Sequence, residues 1–180
     1  MLKVPLLRRN QVEQVANDVL RQHGLTSVPI NPVTIAQKEG FQINNAKFSD
    51  DSLLGMIARR PGNLLMLIRA EDSPNRKRFT IAHELGHHFL HLLSDGEFID
   101  HEADLFREEY VEQDTPQMSE NQRAEVQANM FAAALLMPEE HMRHFWQQLR
   151  SIKKMAELFG VSEEAMGYRI NRLGLATNEQ

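Results

Sequence analysis

The chain has 180 residues, no cysteine and a formal net charge of −5 at pH 7. Without cysteine, disulfide scaffolds, thiolate zinc sites and thiol catalysis are excluded, so any strongly held metal must use histidine and carboxylate. The acidic balance gives no general attraction to nucleic acid, and the length suits one domain, expected over 1–180, that buries roughly 70% of its unfolded surface.

From the N-terminus, Met1 to Asn10 contains no apolar run long enough for a signal peptide. No later stretch approaches about 18 consecutive apolar residues, so the expectation is a cytoplasmic protein without a membrane span. Val12, Val15, Ala16, Val19 and Leu20 recur at helical spacing, and Gly24 supplies a stop, which predicts a helix over 11–23. A linker with Pro29 and Pro32 follows. Asn31-Pro32 then starts a short helix over 33–39 that closes at Gly40. Both helices read as structural, because nothing chemical is clustered in them. Residues 41–48 look like a strand and 49–52 like a turn. Residues 53–60 and 64–70 look like two strands joined by Pro61-Gly62-Asn63, a hairpin signal. The expectation is a small antiparallel sheet beside the next helix. An edge of such a sheet could hold an extended peptide by strand addition, or be covered and inert.

That next helix carries the chemistry. Ser73-Pro74 resembles an N-cap with proline at the first helical position. Phe79, Ala82, Gly86, Phe89 and Leu93 form an apolar stripe at 3–4 spacing. On this helix lies His83-Glu84-Leu85-Gly86-His87, an H-E-x-x-H pattern that arises in about 3 of 100 shuffles of this composition. Residues i and i+4 share a helical face, so the two imidazoles can aim at one point and ligate one zinc ion. Glu84 sits about 100° round the helix from His83, beside a metal rather than on it, where a carboxylate can take a proton from an attacking water. The bland alternative is a buried helix that happens to carry surface histidines.

Residues 94–118 hold nine Asp/Glu against one Arg and lack periodicity, with at most a helical turn over 107–111. They read as a solvated loop, or alternatively as a lid or a docking surface for a basic partner. Ala124, Ala128, Phe131, Ala132 and Leu135 then give one stripe of a helix over 119–137, ended by Pro138. Its alanines permit close approach of another helix. A carboxylate from such a helix is the expected completion of a two-histidine zinc site, with Glu125 and Glu120 competing for the role. Residues 139–149 form a short helix in which His141, His144 and Trp146 serve packing and surface. Residues 151–175 read as helix, turn, helix, with Ile152, Met155, Ala156 and Phe159 as the first stripe, a turn at Gly160-Val161, Ser162 as a cap and Gly174 as the stop. The alternation is like that of a DNA-binding helix-turn-helix. Glu163 and Glu164 open the second helix, however, and acid there repels phosphate. Direct nucleic-acid binding is therefore not expected, and packing or protein contact is.

The third ligand separates the zinc peptidases. In H-E-x-x-H-x-x-G-x-x-H, the glycine and the last histidine would fall on Leu90 and Leu93, so that pattern fails. His91 lies about 12 Å up the axis from His83, too far to share an ion. Two segments are informative together: Arg78-Phe79-Thr80-Ile81-Ala82-His83-Glu84-Leu85-Gly86-His87, and Glu125-x-x-Ala128-Asn129-x-Phe131-Ala132-Ala133-x-Leu135-Leu136-Met137-Pro138. They resemble the ImmA/IrrE metallopeptidase family. The hairpin with Gly55, Phe159-Gly160-Val161-Ser162-Glu163-Glu164-Ala165 and Arg172-Leu173-Gly174 are also similar to that family, so the likeness runs over about 11–175. The residues read as a mostly helical α+β fold with the small antiparallel sheet and a C-terminal helix-turn-helix-like segment over 151–175, and the resemblance implies that this fold is zincin-like (gluzincin-like). It implies one Zn²⁺ held by His83, His87 and Glu125, with Glu84 as the base of peptide-bond hydrolysis. The implied substrate is an Xre-type helix-turn-helix repressor or an antitoxin. The acidic 94–118 stretch is longer than the family's usual connection. His88, His91, His101, Tyr110 and Tyr168 are the candidate donors to the oxyanion that hydrolysis would create. Two rival classes stand beside the enzyme: a non-catalytic, metal-bound interaction or toxin–antitoxin module, and a DNA-binding regulator using 151–175.

Overall fold

Caps and turns set the limits of the helices. In the computed structural model, which describes residues 7–49, 53–60, 62–91, 96–101 and 118–176, α1 (Arg9–His23) ends where Gly24 turns left-handed at φ 68°. Helix α2 (Pro32–Lys38) starts where the Asn31 side-chain oxygen accepts the Val33 N–H at 3.1 Å. The strands β1 (Phe41–Ala46), β2 (Leu53–Arg60) and β3 (Asn63–Arg69) follow. After them come α3 (Pro74–Leu90), β4 (Gly96–His101), α4 (Glu120–Leu136), α5 (Glu139–Leu149), α6 (Ile152–Phe159) and α7 (Glu163–Arg172). The class is α+β, with seven helices and one four-stranded sheet among the described residues.

The sheet differs from the expected antiparallel one. Its order is β1-β3-β2-β4. The β2–β3 hairpin is antiparallel, with Ile57 opposite Met66, but β1 runs parallel to β3, with Phe41 opposite Leu64 and Ala46 opposite Arg69. The first three strands reverse direction in turn along the chain. Because β3 returns between β1 and β2 rather than outside β2, it meets β1 in the same sense. Central placement also suits its content, since Met66 and Ile68 are fully buried.

Residues 94–118 are corrected as well. Within the stretch read as a solvated loop, Gly96–His101 forms β4, antiparallel to β2, with Asp100 opposite Gly55 and Phe98 opposite Ile57. Its apolar residues Phe98 and Ile99 are adjacent rather than alternating, so the strand is made by its partner's open edge, not by a local pattern. The helical turn expected over 107–111 lies outside the described residues, as do 50–52 of the turn cluster, Pro61 of the hairpin and Leu93 of the apolar stripe.

Helix α3 is the centre of the packing. The sequence predicts one apolar stripe, but every residue from Thr80 to His87 is buried. The reason is tertiary: β2 and β3 lie against one side of α3 and α4 against the other. The α4 stripe is buried as expected, with Ala124, Ala128, Phe131, Ala132 and Leu135 all at 0% exposure. The two helices cross at Gly86, where an added Cβ would stand 2.8 Å from the Ala128 Cα and 3.0 Å from its carbonyl oxygen. Arg78 anchors the start of α3. Its guanidinium donates to the carbonyls of Ile30 (2.6 Å), Gly160 (3.0 Å) and Phe159 (3.2 Å).

The C-terminal pair α6 and α7 flanks a turn at Gly160, φ 64°, and the Ser162 hydroxyl accepts the Ala165 N–H at 3.1 Å. Met155, Phe159, Met166 and Ile170 are buried against the body. Arg169 of α7 also points inward, donating to the Met137 carbonyl (3.1 Å) and to Glu13 of α1 (2.7 Å). Glu163 and Glu164 are exposed at the N-terminus of α7. These contacts account for the placement of α7 by packing.

Candidate metal centre

The Ser73 hydroxyl accepts the Arg76 N–H at 3.3 Å and Pro74 takes the first helical position, which fixes the phase of α3 from its first turn. Two turns later His83 and His87 project from one face, both fully buried, with their Nε2 atoms 3.0 Å apart. The crossing at Gly86 brings α4 close enough for Glu125 to reach both. One carboxylate oxygen is 3.1 Å from His83 Nε2 and the other 3.3 Å from His87 Nε2. Among the described residues this is the one group of three such side chains whose ligand atoms all lie within 4.8 Å of one another. Glu120, the competing carboxylate, is exposed at the first turn of α4.

The donor chemistry fits a small divalent ion. His83 Nδ1 is 2.8 Å from the Asn129 side-chain oxygen, which can only accept, so the Nδ1 carries the proton and the Nε2 presents a lone pair. Two imidazoles and a carboxylate meeting at one buried point place electron-rich atoms against each other, which needs a cation or a trapped proton between them. Ligand atoms about 2.0–2.1 Å from a tetrahedral zinc ion stand about 3.3 Å apart, and the observed separations of 3.0, 3.1 and 3.3 Å are close to that.

The electrostatics follow from burial and these contacts. Burial pushes the Glu125 carboxyl upward, but in the metal-free protein the neighbouring His83 and His87, sharing with it the proton that an ion would replace, outweigh burial, so the net direction is down. Burial lowers His87, against an opposing pull from Glu125. His91 is lowered to about 4, by burial first and the neighbouring His87 second. Between its ordinary value of 6.5 and about 4, the unfolded chain binds a proton on His91 and the folded chain does not. Stability of the metal-free protein is therefore expected to fall as pH drops through that window, on the order of 3 kcal/mol from His91 at the acid end. His87 acts in the same direction. Urea melts of chelator-treated protein at stepped pH values would measure this, and an unchanged midpoint from pH 7 to 4.5 would contradict it.

Glu84, the residue after His83 on α3, is 1% exposed. Strand β2 makes room for it. A Cβ on Gly55 would stand 2.9 Å from the Glu84 Oε1 and 2.6 Å from Thr80 Cγ2, so only glycine lets the strand approach this carboxylate so closely. Of the candidate oxyanion donors, His88 faces away to Glu39 (3.1 Å), and His91 sits behind His87, Nδ1 to Nδ1 3.2 Å. Tyr168 is 40% exposed on α7. Tyr110 and the His101 side chain lie outside the described residues. Sequence reasoning assigned no role to Asn129 or Gln127. For Asn129 a signal existed, since it follows Glu125 by one helical turn and so shares its face. Gln127 is two residues from Glu125, and no spacing rule points to it.

The chain's relatives agree with this geometry. Residues 36–171 match the model of the IrrE N-terminal-like domain, Peptidase M78. The chain is similar to the radiation response metalloprotease IrrE of Deinococcus radiodurans, 32% identical over 114 residues that make up 61% of this chain and 31% of that protein. In fold it is similar to a solved Mycobacterium tuberculosis transcriptional regulator, with a TM-score of 0.63 at 18% identity, covering 89% of this chain and 46% of that one. The chain thus spans about a third of the first of these proteins and under half of the second.

Proposed function

The chain belongs to the IrrE N-terminal-like, Peptidase M78 family, and from that premise we propose that it is a zinc-dependent endopeptidase that cuts a regulatory protein. The observation that carries the reading is the convergence of His83, His87 and Glu125 on one buried point, with Glu84 buried next to His83 on the same helix. In this reading one Zn²⁺ is held by His83, His87 and Glu125. Two histidines and a carboxylate are the ligand set of hydrolytic rather than purely structural zinc sites. The bound ion would polarise the scissile carbonyl.

The chain's own residues do the rest. Glu84 takes a proton from the attacking water as its oxygen bonds to the carbonyl carbon. The same carboxyl then gives that proton to the amide nitrogen as the C–N bond breaks, leaving an amine and a carboxylic acid, which gives its remaining proton to solvent. Burial on α3 against Gly55 holds Glu84 in place for both transfers. Asn129 keeps the His83 ring in the tautomer that can ligate.

We assign the substrate to the helix-turn-helix repressor or antitoxin class. Such proteins carry basic surfaces for phosphate, and the nine acidic residues of 94–118 complement them. No helix among the described residues is long and apolar enough to cross a membrane, which is compatible with a cytoplasmic regulator as partner. The test is to incubate a helix-turn-helix regulator encoded beside this chain with the zinc-loaded protein at low and moderate salt, with a chelator control. Cleavage that needs zinc and weakens with salt is expected. A regulator that stays intact and unbound under every zinc-loaded condition would remove this substrate class.

A further inference from the structure

His91 is 1% exposed at the C-terminal end of α3, one turn beyond His87, and is not among the three converging ligands. Its Nε2 is 3.0 Å from the Gln127 side-chain oxygen of α4, and its Nδ1 is 3.2 Å from His87 Nδ1. An amide oxygen only accepts, so His91 carries its proton on Nε2. A neutral imidazole has one N–H, which leaves His91 Nδ1 as an acceptor. It can then be bonded to His87 only if His87 donates from Nδ1. That in turn leaves His87 Nε2 as a bare lone pair, 3.0 Å from His83 Nε2 and 3.3 Å from Glu125.

We infer that Gln127 and His91 form a relay of positioning residues that fixes the tautomer of His87 before any metal arrives. Gln127 does for His87, through His91, what Asn129 does directly for His83. Both metal-facing nitrogens are thereby set from α4, the helix that also brings Glu125. Reversing the Gln127 amide, so that its NH₂ faced His91, would reverse both bonds and put a proton on His87 Nε2, the tautomer that cannot ligate. The orientation of one buried amide therefore decides whether the site is preorganised. The relay rests on the metal-site reading for its purpose but not on peptidase activity.

The test uses chelator-treated full-length protein with ¹⁵N-labelled histidine at neutral pH, where long-range ¹⁵N–¹H spectra report which ring nitrogen is protonated. Wild type is expected to show His87 as the Nδ1–H form and His91 as the Nε2–H form. In Gln127→Leu, His87 should gain the Nε2–H form, and zinc affinity, read by competition with a chromophoric chelator, should fall about 10–100-fold. Gln127→Glu keeps an acceptor at the same reach and should retain both the tautomer and the affinity. His91→Phe should lose affinity as Gln127→Leu does, and the Gln127 pair carries the test if that variant fails to fold. His87 found as Nε2–H in the wild type would overturn the inference. So would a Gln127→Leu protein with unchanged tautomer and zinc affinity within about twofold of wild type. Neither readout involves cleavage, so a chain that passes here and cuts nothing would refute the peptidase reading alone.

Discussion

Glu84→Gln is expected to keep zinc and to lose peptide-bond hydrolysis by about 10²–10⁴-fold. The substitution preserves volume, which matters because Glu84 is fully enclosed between α3 and β2 and cannot be truncated without leaving a cavity. It removes only the capacity to take and return a proton. His83, His87 and Glu125 are untouched, so zinc content should match the wild type, whereas His83→Ala should lose it. The paired measurement is metal content and turnover on the same preparations. Full turnover with zinc bound would remove Glu84 from the chemistry, and undiminished wild-type turnover after zinc is stripped would remove the metal. The non-catalytic alternative makes a different forecast, because a metal-bound interaction module has no need of a carboxylate at position 84.

The second large effect should come from Gly86→Ala. Its new Cβ meets the Ala128 backbone at 2.8 and 3.0 Å, as well as the Ala128 side chain at 3.2 Å. Backbone atoms cannot rotate away, so α3 and α4 must separate. Overpacking of this kind costs about 1–3 kcal/mol. The separation also withdraws Glu125 from the two histidines, so zinc affinity should fall together with stability. Denaturant melts of the metal-free protein and zinc titration would measure the two effects. Adding Ala128→Gly relieves only the 3.2 Å side-chain contact and should restore little. Wild-type stability and zinc affinity in the single variant would show that the helices do not cross as closely as described. Full recovery in the double variant would show that the side chain, not the backbone, sets the approach.

Local pattern made much of the protein legible. Helix starts and stops could be read from Asn31-Pro32, Ser73-Pro74 and Ser162, because capping is chemistry within one turn. Spacing made His83 and His87 a pair, and made Ala124, Ala128, Phe131, Ala132 and Leu135 a buried stripe, because both depend only on helical period. The β2–β3 hairpin followed from its turn residues.

Tertiary packing decided what lies between elements. Strand order is carried by no local pattern, so the parallel β1–β3 pair could not be foreseen, and β4 exists because β2 offers it an edge. Burial all round α3 comes from neighbours on opposite sides, which one helix's periodicity cannot show. Periodicity left Glu125 and Glu120 open; the family resemblance pointed to Glu125, and the place where α4 crosses α3 is what sets it beside the histidines. Gln127 could be connected with His91 only after that crossing was known, since they are 36 residues apart in the chain. Sequence by itself determined the helices, their caps and the paired histidines, because those interactions span one or two turns. Only the fold decided the sheet's mixed sense and the residues that hold the imidazoles, because each joins groups whose separation along the chain carries no periodic signal.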